Sequence, residues 1–179
     1  MIFGVFGRSN GNICEAQING GAAIGEVIAK SGVVLLTGGC CGVPEVAAIA
    51  ARKNGGCVVG VSPAMNQKEH IERYYQSKEI DINIYTGMGD TGRIPINVRS
   101  VDAAVFVGGG YGTLAEFGCA CADKKIIGVL TGIGGISDII PDIIDKLGFA
   151  PKSKIFYSSN PQELINMLID EVRKQYAQD

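Results

Sequence analysis

The sequence predicts an α/β fold with one doubly wound parallel sheet of about seven strands and helices on both faces, in a single domain over residues 1–179. Short apolar runs, rich in β-branched residues and bounded by Gly or Pro, alternate with longer helical patterns along the chain. Most of these runs lack apolar–polar alternation, which is typical of strands buried on both faces. Repeated strand–helix units of this kind predict a doubly wound sheet.

The predicted strands are short runs dominated by Val, Ile, Leu, Phe, Ala and Tyr. In chain order they are residues 2–6, 33–36, 57–61, 82–85, 103–107, 126–130 and 154–156. The helical patterns lie between and after them, at residues 15–30, 43–53, 94–100, 113–123, 137–146 and 161–176. Hydrophobic residues make up 46% of the chain, which is enough to form one core in a chain of this length.

The last predicted helix has the clearest start signal. Asn160 stands at the N-cap, Pro161 at the first helical position and Glu163 at the third, which approximates a capping box. Apolar residues then recur at every fourth position from Leu164 and form one stripe. This pattern predicts a structural helix packed on a face of the sheet.

Composition excludes several classes of function. Lys and Arg total 16 and Asp and Glu total 18, so the net charge is −2, and no charge run marks a nucleic-acid or membrane surface. No apolar stretch reaches the roughly 18 residues of a transmembrane helix, and the N-terminus lacks the basic start and cleavage site of a signal peptide. We therefore expect a cytoplasmic protein that binds neither nucleic acid nor membrane.

The six cysteines are expected to be reduced thiols. A cytosolic chain that can form its own core rarely needs a disulfide scaffold. Most of the cysteines lie among Gly, Ala and Val, where a thiol acts as a small buried hydrophobe. Cys40-Cys41 and Cys119-x-Cys121 lack the spacing of common zinc sites, so no metal is expected, and redox chemistry is the open alternative.

Residues 65–79 form a polar interruption between two predicted strands and contain the only histidine, His70, with Tyr74 and Tyr75. The simplest interpretation is a solvated excursion with an exposed histidine. A lid or an interface segment is the alternative.

Glycine is enriched where three predicted strands end. The chain has 26 glycines in 179 residues, about twice the usual frequency. The clusters at residues 7–11, 38–42 and 108–112 each follow a strand and precede a helix. Such a turn lets backbone N–H groups approach an anion, and the helix dipole favours negative charge. Because three such turns meet at the carboxyl edge of a parallel sheet, they predict a site for a phosphorylated, nucleotide-like ligand.

The predicted ligand-binding residues belong to these three turns. They are Gly7, Arg8, Ser9, Gly38, Gly39, Gly42, Gly108, Gly109, Gly110, Tyr111, Gly112 and Thr113. Two charged side chains are expected nearby. Glu116 lies near the start of the helix after Gly112, where a carboxylate either complements the helix dipole or acts on a ligand. Arg93 precedes the strand at residues 103–107 and either forms a surface ion pair or reaches the site.

The turn at residues 108–116 resembles the signature of a known family. It reads G-G-G-Y-G-T-L-A-E, which is similar to the P-G-G-x-G-T-x-x-E motif of the Rossmann-like Lonely Guy family, also called lysine decarboxylase-like. Residues 5–9, 37–42 and 60–63 match further motifs of that family, so the resemblance covers nearly the whole chain. The resemblance implies a Rossmann-like fold, a homodimer, and a catalytic pair formed by Arg93 and Glu116.

Departures from the motif distinguish branches of this family. Gly108 replaces the motif's Pro, Pro44 replaces a Met, and Ile94 stands where plant-type members have Lys. The Gly-Gly-Gly version is more similar to a shorter bacterial and archaeal branch and to the molybdenum-cofactor carrier proteins, which bind a phosphorylated pterin.

The resemblance implies hydrolysis of the N-glycosidic bond of a nucleoside 5′-monophosphate to free base and ribose 5-phosphate. Glu116 would activate water, and Arg93 would orient Glu116 or the phosphate. The alternative is a binding protein that holds a nucleotide or molybdenum cofactor at the same loops without turnover. No cofactor is required for the hydrolysis. Lysine decarboxylation is not expected, because no lysine lies in a recognisable pyridoxal phosphate setting.

Overall fold

The computed structural model describes residues 1–74, 79–148 and 151–178 and contains one parallel sheet. The strands are β1 (Ile2–Gly7), β2 (Val34–Thr37), β3 (Val58–Ser62), β4 (Ile82–Tyr85), β5 (Ala103–Val107), β6 (Ile126–Leu130) and β7 (Ile155–Ser158). They are arranged in the order β4-β3-β2-β1-β5-β6-β7, and every neighbouring pair is parallel. This arrangement confirms the predicted fold class.

Helices cover both faces of the sheet. They are α1 (Glu15–Lys30), α2 (Val43–Lys53), α3 (Gln67–Glu69), α4 (Gly89–Gly92), α5 (Ile94–Arg99), α6 (Tyr111–Ala122), α7 (Ile136–Leu147) and α8 (Pro161–Tyr176), with a π-helical turn at His70–Tyr74. One core, around Phe3 and Val5, packs α1, α2 and α8 against the sheet. The other core, around Phe6 and Phe106, packs α5, α6 and α7 against the opposite face.

The direction of winding reverses at β1. This strand pairs with β2 on one side and with β5 on the other, so the chain turns to opposite faces after β1 and after β5. In doubly wound sheets this reversal opens a crevice at the carboxyl edge, where ligands bind. The predicted glycine turns follow β1, β2 and β5, and the topology therefore brings all three to this crevice.

The two edge strands depart from the predicted burial. The interior strands β5 and β6 are buried along their whole length, but Ile82 and Ile84 of β4 are 53% and 47% exposed. The apolar run therefore predicted the strand correctly and its burial wrongly, because an edge strand has a sheet neighbour on one side only. Most predicted strand bounds lie within one residue of the structure, whereas the strand predicted at residues 154–156 lies at Ile155–Ser158.

The start of α8 confirms the predicted N-cap. The Asn160 side chain accepts hydrogen bonds from the N–H groups of Gln162 and Glu163 at 2.9 and 3.1 Å. The reciprocal half of the capping box is not formed, because the Glu163 carboxylate accepts from Ser158 Oγ at 2.6 Å. The Asn160 N–H also donates to Ser158 Oγ, so a residue before the helix replaces the expected partner.

The cysteines are less buried than predicted. All six are free thiols, but only Cys40 is buried, while Cys14 and Cys57 are exposed and the other three are half-buried. The surrounding small residues lie in loops and helix ends at the surface, which is why composition overstated the burial. None of the helices in residues 1–74, 79–148 and 151–178 combines the length and hydropathy needed to cross a bilayer.

Candidate functional site

The turns after β1 and β2 touch each other at the crevice. The Val43 N–H donates to the Arg8 carbonyl at 2.9 Å, and Cys41 Sγ lies 2.7 Å from the Ser9 carbonyl. Gly42 has a φ of +85°, and a Cβ at this position would lie 2.3 Å from the Arg8 carbonyl oxygen. Glycine is therefore required here by both conformation and space, and the two turns form one continuous wall.

The turn after β5 is held from outside by α7. The Ile136 N–H donates to the Gly109 carbonyl at 3.1 Å, and the Ser137 N–H and Oγ donate to the Gly108 carbonyl at 3.3 and 3.2 Å. These bonds fix the carbonyls toward the start of α7. Within the described ranges, no acceptor bonds the backbone N–H groups from Gly109 to Thr113.

The start of α6 differs from the starts of the other long helices. The first turns of α1, α2, α7 and α8 contain Glu15, Glu45, Asp138 and Glu163, respectively. Among the described helices longer than eight residues, α6 alone has neither an acidic residue in its first turn nor a side-chain cap. Its uncompensated N–H groups and positive dipole end are therefore available to an anion.

Glu116 lies one turn into α6 and is partly buried. Burial raises the pKa of this carboxyl from 4.5 to about 7, and the positive charge of Arg93 opposes that rise. No hydrogen-bond donor from the described residues reaches the carboxylate, so only the charge of Arg93 offsets part of the lost solvation. A carboxyl that titrates near neutral pH can either accept or donate a proton in catalysis.

Arg93 is buried, and its guanidinium is occupied by the protein itself. Nη1 donates to the Gly38 carbonyl and, at 2.9 Å, to the Val61 carbonyl. Nη2 contacts Cys40 Sγ at 3.4 Å and the carboxylate of Asp90 at 3.5 Å. The two Nη groups therefore contact the ends of β2 and β3 and the exposed carboxylate of Asp90. Arg93 is close enough to influence the Glu116 carboxyl electrostatically but does not donate to it, and its catalytic role remains a prediction.

Other predicted site residues line the crevice in different ways. Arg8 is exposed and donates through Nη1 to the Asn12 carbonyl at 2.8 Å. Tyr111 is 94% exposed. Thr113 is buried beneath the turn, since a Cβ on Gly109 would lie 2.3 Å from its Oγ1.

A fourth glycine-containing loop and a buried glutamine at the crevice were not predicted from the sequence. Residues 131–135 follow β6, and the Gly132 and Gly134 N–H groups donate to the Asp138 carboxylate at 2.7 Å each. Gln17 of α1 is buried between this loop and the turn after β5. A Cβ on Gly135 would lie 2.9 Å from the Nε2 of Gln17. The T-G-I-G-G-I run after a predicted strand was a usable signal for the loop, whereas no pattern marked Gln17.

The expectation of an exposed histidine is wrong. His70 is fully buried, and its Nδ1 lies 2.8 Å from Ser62 Oγ. Ser62 ends β3, so a contact between the polar segment and the sheet draws the imidazole inward. Tyr74 is half-buried at the end of the π-helical turn, and Tyr75 lies outside the described residues.

Comparison with known proteins identifies the family. The sequence pattern of the SLOG cluster4 family matches residues 1–165. The chain belongs to this family. Membership of the SLOG cluster4 family agrees with the expected Rossmann-like fold. The narrower assignment to the Lonely Guy hydrolases remains a prediction.

Relatives of this SLOG cluster4 protein include a protein of Archaeoglobus fulgidus without an assigned function. It is 39% identical over 107 residues, which cover 60% of this chain and 66% of that relative. The chain thus matches a little under two thirds of the relative's length.

Solved structures share the fold over nearly the whole chain. TM1055 aligns with a TM-score of 0.81 and 26% identity, over 95% of this chain and 98% of that one. The molybdenum cofactor binding protein of Rippkaea orientalis aligns with a TM-score of 0.80 and 30% identity, over 96% of each chain. The molybdenum cofactor carrier protein of Chlamydomonas reinhardtii aligns with a TM-score of 0.76 and 28% identity, over 97% of this chain and 98% of that one.

Proposed function

We propose that this SLOG cluster4 protein binds and carries a small phosphorylated ligand of the molybdenum-cofactor or nucleotide type. The observation that carries the proposal is the start of α6, where consecutive N–H groups lack acceptors within the described chain and no acidic side chain opposes an anion. The structural similarity to two proteins named for molybdenum cofactor binding supports the same proposal. Carriage without turnover therefore replaces hydrolysis as the favoured function.

The phosphate would be held mainly by backbone donors. The N–H groups of Gly109 to Thr113, at the positive end of α6, would donate to the anion, and hydrogen bonds to a charged group are stronger than neutral ones. The exposed Arg8, which uses only Nη1 in its bond to the Asn12 carbonyl, would supply the cationic group, because Arg93 is buried and engaged with backbone carbonyls. This donor set fits a phosphate-bearing cofactor, and a bound molybdenum cofactor would bring its own redox chemistry.

A proline substitution tests the backbone donors directly. Tyr111 is the first residue of α6, where proline fits the helix and removes an N–H group that bonds no acceptor in the described chain. Because one charge-assisted hydrogen bond is lost, Tyr111→Pro is expected to weaken ribose 5-phosphate binding at least about tenfold in calorimetric titration. Native mass spectrometry should also show loss of any phosphorylated ligand that co-purifies with the wild type.

Tyr111→Ala is the matched control. It removes the same exposed side chain but keeps the N–H group, so ribose 5-phosphate affinity should stay near the wild-type value. Equal affinities for the Pro and Ala variants would show that the amide at this position does not hold the phosphate.

Hydrolysis of a nucleoside 5′-monophosphate is the second candidate, and Glu116 favours it. A carboxyl with a pKa of about 7 is suited to proton transfer near neutral pH. If the protein is a phosphoribohydrolase, it should release free base from AMP, GMP or CMP, and Glu116→Gln should abolish the release. Absence of free base with all three nucleotides, measured by chromatography, would reject the hydrolase and leave the carrier.

The expected homodimer, the cytoplasmic location and the absence of nucleic-acid binding remain parts of the proposal. The outer strand β4 supports the dimer, because Ile82 and Ile84 present exposed apolar side chains at a sheet edge.

A further inference from the structure

A basic surface cavity lies at the amino edge of the sheet, opposite the crevice. Its volume is about 250 Å³, and it opens between the segments that lead into β6 and β7 and the end of α8. The charged residues that line it are Lys124, Lys152, Lys154, Lys174 and Glu171. Four lysines against one glutamate give this lining a net charge of +3, in a chain whose net charge is −2. The fold thus brings together lysines from three separate segments, and no charge run in the sequence marks the surface.

Two of the four ammonium groups are not neutralised by the protein. Lys154 and Lys174 both contact the buried Glu171 carboxylate, Lys174 at 3.9 Å. Lys124 and Lys152 are exposed, and neither forms an ion pair with any residue of the described ranges. Like charges gathered around one cavity repel each other, and a bound anion relieves this repulsion.

The backbone places a lysine where glycine would be more stable. Lys124 follows the C-cap of α6, and its φ of +55° is the only left-handed value of a non-glycine residue in the part of the chain that the structure describes. The Lys124 N–H donates to the Cys121 carbonyl and the Lys125 N–H to the Ala120 carbonyl, at 3.2 and 3.0 Å. These bonds form a Schellman motif, in which glycine usually takes this position because it lacks the Cβ that disfavours a positive φ. Lys124 therefore adds an unpaired charge to the cavity at the expense of backbone stability.

We propose that this cavity binds a linear polyphosphate group, either of inorganic triphosphate or of a nucleoside triphosphate. A triphosphate presents several negative oxygens along a short chain, so Lys124, Lys152 and Lys174 can contact it together. An ammonium group binds phosphate as a point charge without a fixed geometry, which suits lysines that come from separate segments. A cavity of this volume admits a small polyanion.

The site is separate from the anion site of the proposed function. The α6 start lies at the carboxyl edge of the sheet, whereas the lysines lie where β6 and β7 begin. A five-residue strand such as β6 separates the two edges by about 16 Å. The two sites can therefore be occupied at the same time and tested independently.

A second cavity separates the two sources of the triphosphate. It has a volume of about 170 Å³ and shares Lys124, Ile126 and Gln175 with the first. Its wall includes the ring of Tyr176, which is 56% exposed. Bases stack on exposed aromatic rings, so a nucleotide would gain affinity here that inorganic triphosphate does not.

Nuclear magnetic resonance of labelled protein with tripolyphosphate locates the binding site. Tripolyphosphate is expected to shift the backbone amide signals of Lys124, Lys152 and Lys174, whether or not it also shifts those of Gly109 to Thr113. Ribose 5-phosphate should leave the three lysine signals unchanged. The tripolyphosphate affinity should fall as sodium chloride is added, because exposed charges are screened by salt.

Lys124→Gly removes the unpaired charge and the strained backbone together. Its tripolyphosphate affinity should be about fivefold lower than that of the wild type, as the loss of one exposed ionic contact provides. Its midpoint of urea denaturation should not fall, and a lower midpoint would contradict the interpretation of Lys124. Lys53→Ala, at an exposed lysine outside both cavities, removes the same charge and should keep the wild-type affinity.

The remaining outcomes decide the ligand. Unmoved lysine signals, or an unchanged tripolyphosphate affinity in Lys124→Gly, would overturn the polyphosphate site and leave the α6 site intact. ATP that binds about tenfold more tightly than tripolyphosphate would assign the cavity to a nucleotide, whereas equal affinities would assign it to the inorganic chain. An oligothymidylate that binds more tightly than both and shifts the same lysine signals would overturn the small-ligand site in favour of nucleic acid.

Discussion

Arg93→Met is expected to lower the free energy of unfolding by about 3 kcal/mol, because a buried hydrogen-bond acceptor that loses its donor costs about 1 to 3 kcal/mol. The guanidinium donates to the carbonyls of Gly38 and Val61, which lie at the ends of two adjacent strands. Methionine fills much of the volume of the arginine stem but cannot donate. Urea denaturation of the purified variant measures the loss.

Arg8→Met is the matched control for this prediction. Arg8 is an exposed arginine of the same crevice whose side chain donates to the Asn12 carbonyl. Its removal should change stability by no more than about 0.5 kcal/mol, as is usual for surface substitutions, while weakening ribose 5-phosphate binding. The opposite result, with a stable Arg93→Met that no longer binds and an Arg8→Met that binds normally, would assign Arg93 to the ligand.

The fold could be predicted because its signals are local. The runs that became β5 and β6 are apolar throughout, and the sheet buries them on both faces. Asn160 and Pro161 likewise marked the first residue of α8. Burial at the edge strand β4 could not be predicted, because an apolar run does not reveal how many neighbours the strand will have.

The site could be predicted only as far as topology determines it. Glycine turns that follow parallel strands must emerge at one edge of the sheet, and this convergence is what the structure contains. The partners of Arg93 are 55 and 32 residues away in sequence, and no spacing rule predicts such contacts. The same limit applies to His70, whose buried imidazole contacts Ser62 at the end of a different strand.

Glu116→Gln is expected to stabilise the protein at alkaline pH and not at acidic pH. Burial raises the pKa of Glu116 from 4.5 to about 7, so the folded state holds the proton more tightly than the unfolded chain does. The stability is then greatest below the pKa of Glu116 in the unfolded chain, and it falls as pH rises through the pKa of Glu116 in the folded protein. At about 1.4 kcal/mol per pKa unit, ionisation of Glu116 in the folded state lowers the free energy of unfolding by about 3 kcal/mol. Partial exposure of the side chain reduces this loss to about 2 kcal/mol.

Urea denaturation at about pH 4 and about pH 8 measures this difference. The wild type and Glu116→Gln should have similar stability at the lower pH, and the variant should be more stable at the higher pH. Glu72→Gln, at an exposed carboxylate of the π-helical turn, controls for the loss of one charge and should show no such divergence. Parallel pH profiles for the wild type and Glu116→Gln would contradict the proposed burial of the carboxyl.

The same titration affects ligand binding if Glu116 faces the anion held at the start of α6. A protonated Glu116 does not repel a phosphate, whereas the carboxylate does, so this contribution weakens wild-type binding of ribose 5-phosphate as pH rises through about 7. The phosphate itself becomes more negative in this range, which strengthens its bonds to backbone donors and acts in the opposite direction. The ratio of the affinities of Glu116→Gln and the wild type removes this common contribution. A ratio that increases with pH places the carboxyl beside the phosphate, and a constant ratio places it elsewhere.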